Sequence, residues 1–147
     1  MKHRIMPALV LLAAGCASTG PEPVASGVGT EALDVVRQHA AAFSARDMGA
    51  LLDGVAPDIE WYSIDGGDVT LELTGRAALR DAMFTYFAET PTFRSEIEGA
   101  VVSGAFVSVR ERATWQTPSG PRTQTAIGVF EVRDGVIRRA WYYPAQR

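Results

Sequence analysis

Apolar residues recur every three or four positions at Leu33, Val36, Ala40 and Phe43. That spacing predicts a helix from a Thr30 cap to about Arg46, because one face of a helix repeats every 3.6 residues. Asp47 is a second cap, for a short helix carrying Leu51, Leu52 and Val55 and ending before Pro57. Residues 59–64 read as a strand, Asp65-Gly66-Gly67-Asp68 as a turn, and 69–73 as a short strand pairing back. Thr74 then caps a third helix with the stripe Leu79, Met83, Tyr86 and Phe87, and Pro91 lies beyond its end. From Thr92 the period changes to two, which predicts strands near 92–102, 105–116, 122–133 and 136–143. Thr117-Pro118-Ser119-Gly120 and Asp134-Gly135 mark two hairpins, the latter a strong turn signal. No internal repeat is visible.

The hairpins assign faces. A two-residue Asp134-Gly135 turn pairs Val132 with Ile137, Phe130 with Arg139 and Gly128 with Trp141. A loop from Gln116 to Pro121 pairs Trp115 with Arg122, Glu111 with Ala126 and Val109 with Gly128. Since side chains alternate across a sheet, one face collects Val107, Val109, Glu111, Ala113 and Trp115 with Gln124, Ala126, Gly128, Phe130, Val132, Ile137, Arg139, Trp141 and Tyr143. It is the more apolar face and is read as the core and pocket side. A slip of one residue would invert the assignment.

The first residues carry a separate signal. Lys2, His3 and Arg4 precede the apolar run 5–14, too short to cross a bilayer, and the run ends Leu12-Ala13-Ala14-Gly15-Cys16. This resembles the lipobox of bacterial lipoproteins, which implies cleavage after Gly15 and a diacylglyceryl group on Cys16. The alternative is an ordinary secretory signal with a chance cysteine. Ala17 follows where an aspartate would favour the inner membrane, so the resemblance implies the periplasmic face of the outer membrane. Residues 1–15 are then the signal, 16–29, rich in Gly, Pro, Ser and Ala, a flexible tether, and 30–147 the domain.

Composition narrows the chemistry. Lys2 is the only lysine, so the mature chain has twelve arginines against seventeen carboxylates and a formal charge of −5. That excludes a lysine Schiff base and argues against nucleic acid, which selects basic surfaces. With Cys16 lipidated and His39 the only mature histidine, no thiol chemistry, no metal site and no cofactor is expected.

The element order, with TGRAALRDAMFTYF and the terminal GVFEVRDGVIRRAWYYP, resembles the NTF2-like superfamily, especially its SnoaL-like and ketosteroid-isomerase-like branches. The resemblance spans about residues 31–144. It implies an α+β cone, a curved, mostly antiparallel sheet around about three helices with a pocket between them, and a homodimer paired through the outer sheet face, where Ile127, Val129, Ala140 and Tyr142 are candidates. The superfamily hosts both enzymes and binding modules, so fold alone assigns no function. In PDIEWYSI, Ser63 falls where the isomerases carry a catalytic aspartate, and Gly128 falls at a second acidic position. Isomerase activity is therefore not carried over.

Two residues remain as candidate acid–base or hydrogen-bonding groups. Glu111 is a carboxylate on an otherwise apolar face; burial would raise its pKa and suit it to proton transfer, or it pairs with Arg139. His39, on the first helix, falls where the isomerases place an oxyanion-binding tyrosine, or it simply packs on the sheet. Trp61, Ser63, Tyr86, Trp115, Arg139, Trp141 and Tyr143 are candidate ligand contacts, with filling of the cone as the alternative for the aromatic ones. Three functions follow: a lipoprotein pocket for a small apolar or aromatic molecule, a lyase or isomerase using Glu111, and a structural module that dimerises.

Overall fold

The computed structural model describes residues 26–143. The lipobox, Cys16 and most of the 16–29 segment lie outside the described residues. Three helices and six strands follow in the order α1 (Ser26–Ala45), α2 (Met48–Asp53), β1 (Val55–Asp65), β2 (Asp68–Thr74), α3 (Arg76–Glu89), β3 (Arg94–Ser103), β4 (Phe106–Thr117), β5 (Gly120–Arg133) and β6 (Val136–Tyr142). The element types agree with the pattern of apolar positions. Helix α1 starts at Ser26 rather than after a Thr30 cap. Helix α3 is preceded by Gly75, whose φ of 88° suits glycine, and not directly by Thr74.

The strands form one sheet in the order β2-β1-β6-β5-β4-β3, antiparallel except where β1 and β6 run parallel. The helices, two before β1 and one between β2 and β3, cover one face. Helix α1 buries Ala32, Val36, His39 and Ala42, a line at three- and four-residue spacing. These meet Val107, Val109 and Phe130 of the sheet, while Leu51, Val55, Ile59, Leu79 and Ile137 close the other end of the core.

Four irregularities interrupt the pairing. The register shifts between Val55 and Glu60, between Trp61 and Tyr62, between Ile97 and Gly99, and between Glu131 and Val132. The last decides the site. Val132 pairs with Ile137 as the turn requires, but Glu131 then pairs with Arg139, so Arg138 is an inserted residue in β6. An inserted residue bends the strand and flips everything beyond it to the opposite face. Phe130 therefore faces Ala140, and Gly128 faces Tyr142. Ala140 and Tyr142 point inward and are not available to an outer-face contact.

Arg46 joins the ends of two helices. It follows α1 with a φ of 58°, a left-handed conformation that costs energy for a side chain with Cβ. In that position its guanidinium donates to the Phe87 carbonyl at 2.7 Å and the Thr90 carbonyl at 2.6 Å, and lies over the Phe87 ring at 5.1 Å. Asp47 caps α2 as expected, its carboxylate accepting from the Ala50 amide at 3.0 Å.

Candidate functional site

Between α1, α3 and the inner sheet face lies a cavity of about 310 Å³. Its walls are mostly apolar: Val36, Phe43, Trp61, Leu73, Met83, Phe93, Ala126 and Phe130. The polar groups that reach it are His39, Tyr86, Ser95, Glu111, Gln124 and Tyr142. Few polar groups converging in an apolar concavity is the usual make-up of a small-molecule site.

Glu111 is the centre of the polar side. Strand β4 presents it inward between Val109 and Ala113, both buried. Opposite it on β5 stands Ala126, which leaves open space above the carboxylate. The Tyr142 phenol donates to Glu111 Oε1 at 3.1 Å, and the Ser95 hydroxyl donates to Oε2 at 3.2 Å. Burial raises the carboxyl pKa; the two donated hydrogen bonds favour the charged form and only partly offset this. The Tyr142 phenol is pushed well above its ordinary value, first by burial and then by the Glu111 charge. No arginine pairs with Glu111 among the described residues. The pairing with Arg139 considered from sequence does not form, because Arg139 is on the other face.

His39 lies on α1, only 6% exposed, with Trp61 and Phe130 rings at 6.3 and 6.4 Å. Burial drops its pKa from 6.5 to about 4, against a weaker opposing pull from the Leu51 backbone, so the imidazole is neutral at pH 7. Its Nδ1 is buried beside Gly54, where a Cβ would come within 3.9 Å of it, and among the described residues it meets no partner at full hydrogen-bond geometry, the Leu51 backbone acting on the ring only weakly. With Nδ1 turned to Gly54, Nε2 is the nitrogen that can serve the cavity.

Rings build the rest. Trp61 and Tyr142 stack with centroids 5.0 Å apart and planes 9° apart, and Phe130 meets Tyr142 edge-on. At the α3 side, Phe93 packs edge-on against Phe43 and Tyr86 at 6.0 and 5.4 Å. Gly128 is a packing residue: a Cβ there would fall 3.0 Å from the Phe130 ring and 3.4 Å from Tyr142. Any side chain there would press on the Phe130 ring, which would have to give by a few tenths of an ångström.

Of the nine candidates read from sequence, Glu111, His39, Trp61 and Tyr86 line the cavity. Trp115 stands behind the wall, stacked on Phe93 at 6.1 Å. Ser63 lies opposite Tyr142 but donates to Glu72 and does not line the cavity. Arg139, Trp141 and Tyr143 are corrections: the Arg138 insertion turns Arg139 and Trp141 to the outer face. There Arg139 bridges Glu60 and Glu131 at 2.7 and 2.9 Å, and Trp141 stacks on Tyr62 at 5.8 Å. Tyr143, just past β6, is 43% exposed. The residues that sequence reasoning missed are chiefly Tyr142, Ser95 and Phe93. Ser95 was not reachable from the Gly104-Ala105 turn, which alone would set it opposite Thr114; an extra residue in β3, Glu98, brings it opposite Ala113, beside Glu111. Nothing in the sequence announces the insertion that brings in Tyr142.

The sequence profile of the SnoaL-like domain matches residues 36–140. The chain belongs to the SnoaL-like family, within the NTF2-like superfamily. Solved structures share the fold. Bal32a, from a soil-derived mobile gene cassette, is 21% identical, with 78% of this chain and 88% of that one covered and a TM-score of 0.66. TerC co-crystallised with polyporic acid is 21% identical, covering 76% and 89%, at 0.64. An LEH-like epoxide hydrolase of M. tuberculosis is 19% identical, covering 78% and 83%, at 0.65. No curated protein matches the chain by sequence.

Proposed function

We propose that this is a small-molecule-binding domain of the cell envelope, anchored through a lipid on Cys16 and taking an apolar or aromatic ligand. The observation that carries the ligand is the 310 Å³ cavity, walled by Trp61, Phe43, Phe93 and Phe130 and holding one hydrogen-bonded carboxylate. Burial of flat apolar surface supplies affinity, and Glu111, with Tyr142 and Ser95, orients a ligand's polar group. The fold-mate TerC was co-crystallised with polyporic acid, which supports the reading that proteins of this fold meet small organic molecules. The test is saturable binding of a small aromatic probe that a cavity-filling substitution removes.

The placement rests on Leu12-Ala13-Ala14-Gly15-Cys16 and the basic, apolar run before it. Among the described residues no helix is long and apolar enough to cross a membrane. Two acyl chains on one cysteine suffice for stable attachment. Cys16→Ser is expected to move the protein from the membrane fraction to the soluble one; retention in the membrane fraction would remove the lipid anchor from the account. Pairing of two copies through the outer face is part of the same proposal. Exposed Phe106 lies beside Trp141 there, and Ile127 is exposed as well. Sedimentation equilibrium decides it.

A second reading is favoured by one observation. A carboxylate whose pKa burial raises, beside a phenol in an apolar cavity, is suited to proton transfer in a lyase or isomerase reaction. In that reading Glu111 moves the proton and neutral His39 hydrogen-bonds the substrate. Turnover of a ligand captured by the pocket, lost in Glu111→Gln, distinguishes it from binding alone.

A further inference from the structure

Among the described residues, Glu111 is the only carboxylate lining the cavity, and no arginine or lysine lines it. Its two hydrogen bonds, from Tyr142 and Ser95, solvate the charge without neutralising it. A carboxyl taken from water either holds its proton or, when charged, calls for a counter-charge as well as donors. The cations near the cavity are committed elsewhere. Arg46 donates to the Phe87 and Thr90 carbonyls, and its charge acts on the Tyr86 phenol. Arg139 is held by Glu60 and Glu131 on the opposite face. His39 is neutral at pH 7. Each carboxylate oxygen can accept more than one hydrogen bond, and each here receives a single one from the protein. Tyr86, Phe93, Trp61 and Tyr142 line the same cavity as the carboxylate, and aromatic rings attract cations to their faces.

We propose that the ligand of this cavity is an organic ammonium: a protonated amine on an apolar or aromatic body, its nitrogen placed against Glu111 and its body among the rings. This rests on the reading of the cavity as a ligand site and names the ligand's class. The ammonium supplies the counter-charge that the protein withholds, donates to the free lone pairs of Glu111, and gains from the rings. An anionic ligand would meet an uncompensated carboxylate and is excluded. The overall acidity of the chain, with a formal charge of −3, raises the local concentration of cations in the same sense.

The test compares benzylamine, benzyl alcohol and benzoate at pH 8, followed by amide chemical shifts of the full domain. The three share one ring and differ in charge. Benzylammonium is expected to bind at least tenfold more tightly than the alcohol, with no saturable binding of benzoate. In Glu111→Gln the preference for the cation should fall below about twofold while the alcohol still binds. In Glu111→Asp, which keeps the charge, it should persist in part. If Glu111→Gln does not fold, the wild-type protein supplies the same test. Benzylamine stays protonated on acidification, so its advantage must vanish as the pH falls through the raised Glu111 pKa. A preference below tenfold at pH 8, with the alcohol bound, overturns the ammonium and leaves the pocket standing. Failure of all three to bind overturns the ammonium and the pocket reading together.

Discussion

The phenol of Tyr142 reaches from the last strand to Glu111 Oε1, 3.1 Å away, and it does so only because Arg138 is an extra residue in that strand. Without the insertion, Trp141 would face inward and Tyr142 outward. The chemistry of the cavity thus depends on an irregularity of the backbone.

That hydrogen bond favours the charged form of Glu111. Tyr142→Phe removes the donor and keeps the ring that stacks on Trp61. The expected result is a carboxyl pKa higher still than in the wild-type protein, because desolvation is then opposed by Ser95 alone. Carbon-13 titration of the glutamate carboxyl measures it, and a lower value in the variant would contradict the assignment of roles.

His39 makes stability pH-dependent. Its folded pKa, about 4, lies below the unfolded value of 6.5. The unfolded chain therefore binds the proton first, and the native state loses stability as pH falls from about 6.5 to about 4. For so buried a ring the loss is on the order of 3 kcal/mol. His39→Leu should flatten urea midpoints over that window, leaving the acid loss due to other groups. An unchanged slope would show that the ring is already solvated in the native state.

Arg46 is in a left-handed conformation for the sake of two carbonyls. Arg46→Ala keeps the strain and loses both hydrogen bonds to α3, whereas Arg46→Gly loses the bonds but relieves the strain. Both are expected to destabilise, and Ala by about 1 kcal/mol more than Gly. Since Arg46 ties the ends of α1 and α3 where Phe43, Tyr86 and Phe87 meet, both variants should also loosen ligand binding. Equal melting temperatures for Ala and Gly would contradict the strain argument.

Much of this arrangement is legible in the chain. The switch from 3.6-residue to two-residue periodicity near Thr92 separates helices from long strands, and Asp134-Gly135 and Pro118-Ser119 place two hairpins in their observed registers near the turns. Glu111 is identifiable as an inward carboxylate because β4 and β5 pair without interruption from Phe106↔Glu131 to Thr117↔Gly120. The β6 assignments fail for one physical reason. A bulge is settled by tertiary fit, and no local preference encodes it; the extra residue here, Arg138, reaches Asp58 at 2.8 Å. Trp115 was misplaced for a different reason. It is on the correct face, but Phe93 stacks between it and the cavity, and the depth of a side chain within a wall has no period to read.

The central claim is that the space beside Glu111 receives a ligand, and filling that space tests it most directly. Ala126 faces Glu111 across the β4–β5 pair and lines the cavity. Indole, a neutral aromatic with one donor, should bind the wild-type domain at one site with shifts confined to cavity residues. Ala126→Phe, which places a ring in the same volume, should weaken that binding at least tenfold with circular dichroism unchanged. Equal binding to both proteins, or none to the wild type, would contradict the claim.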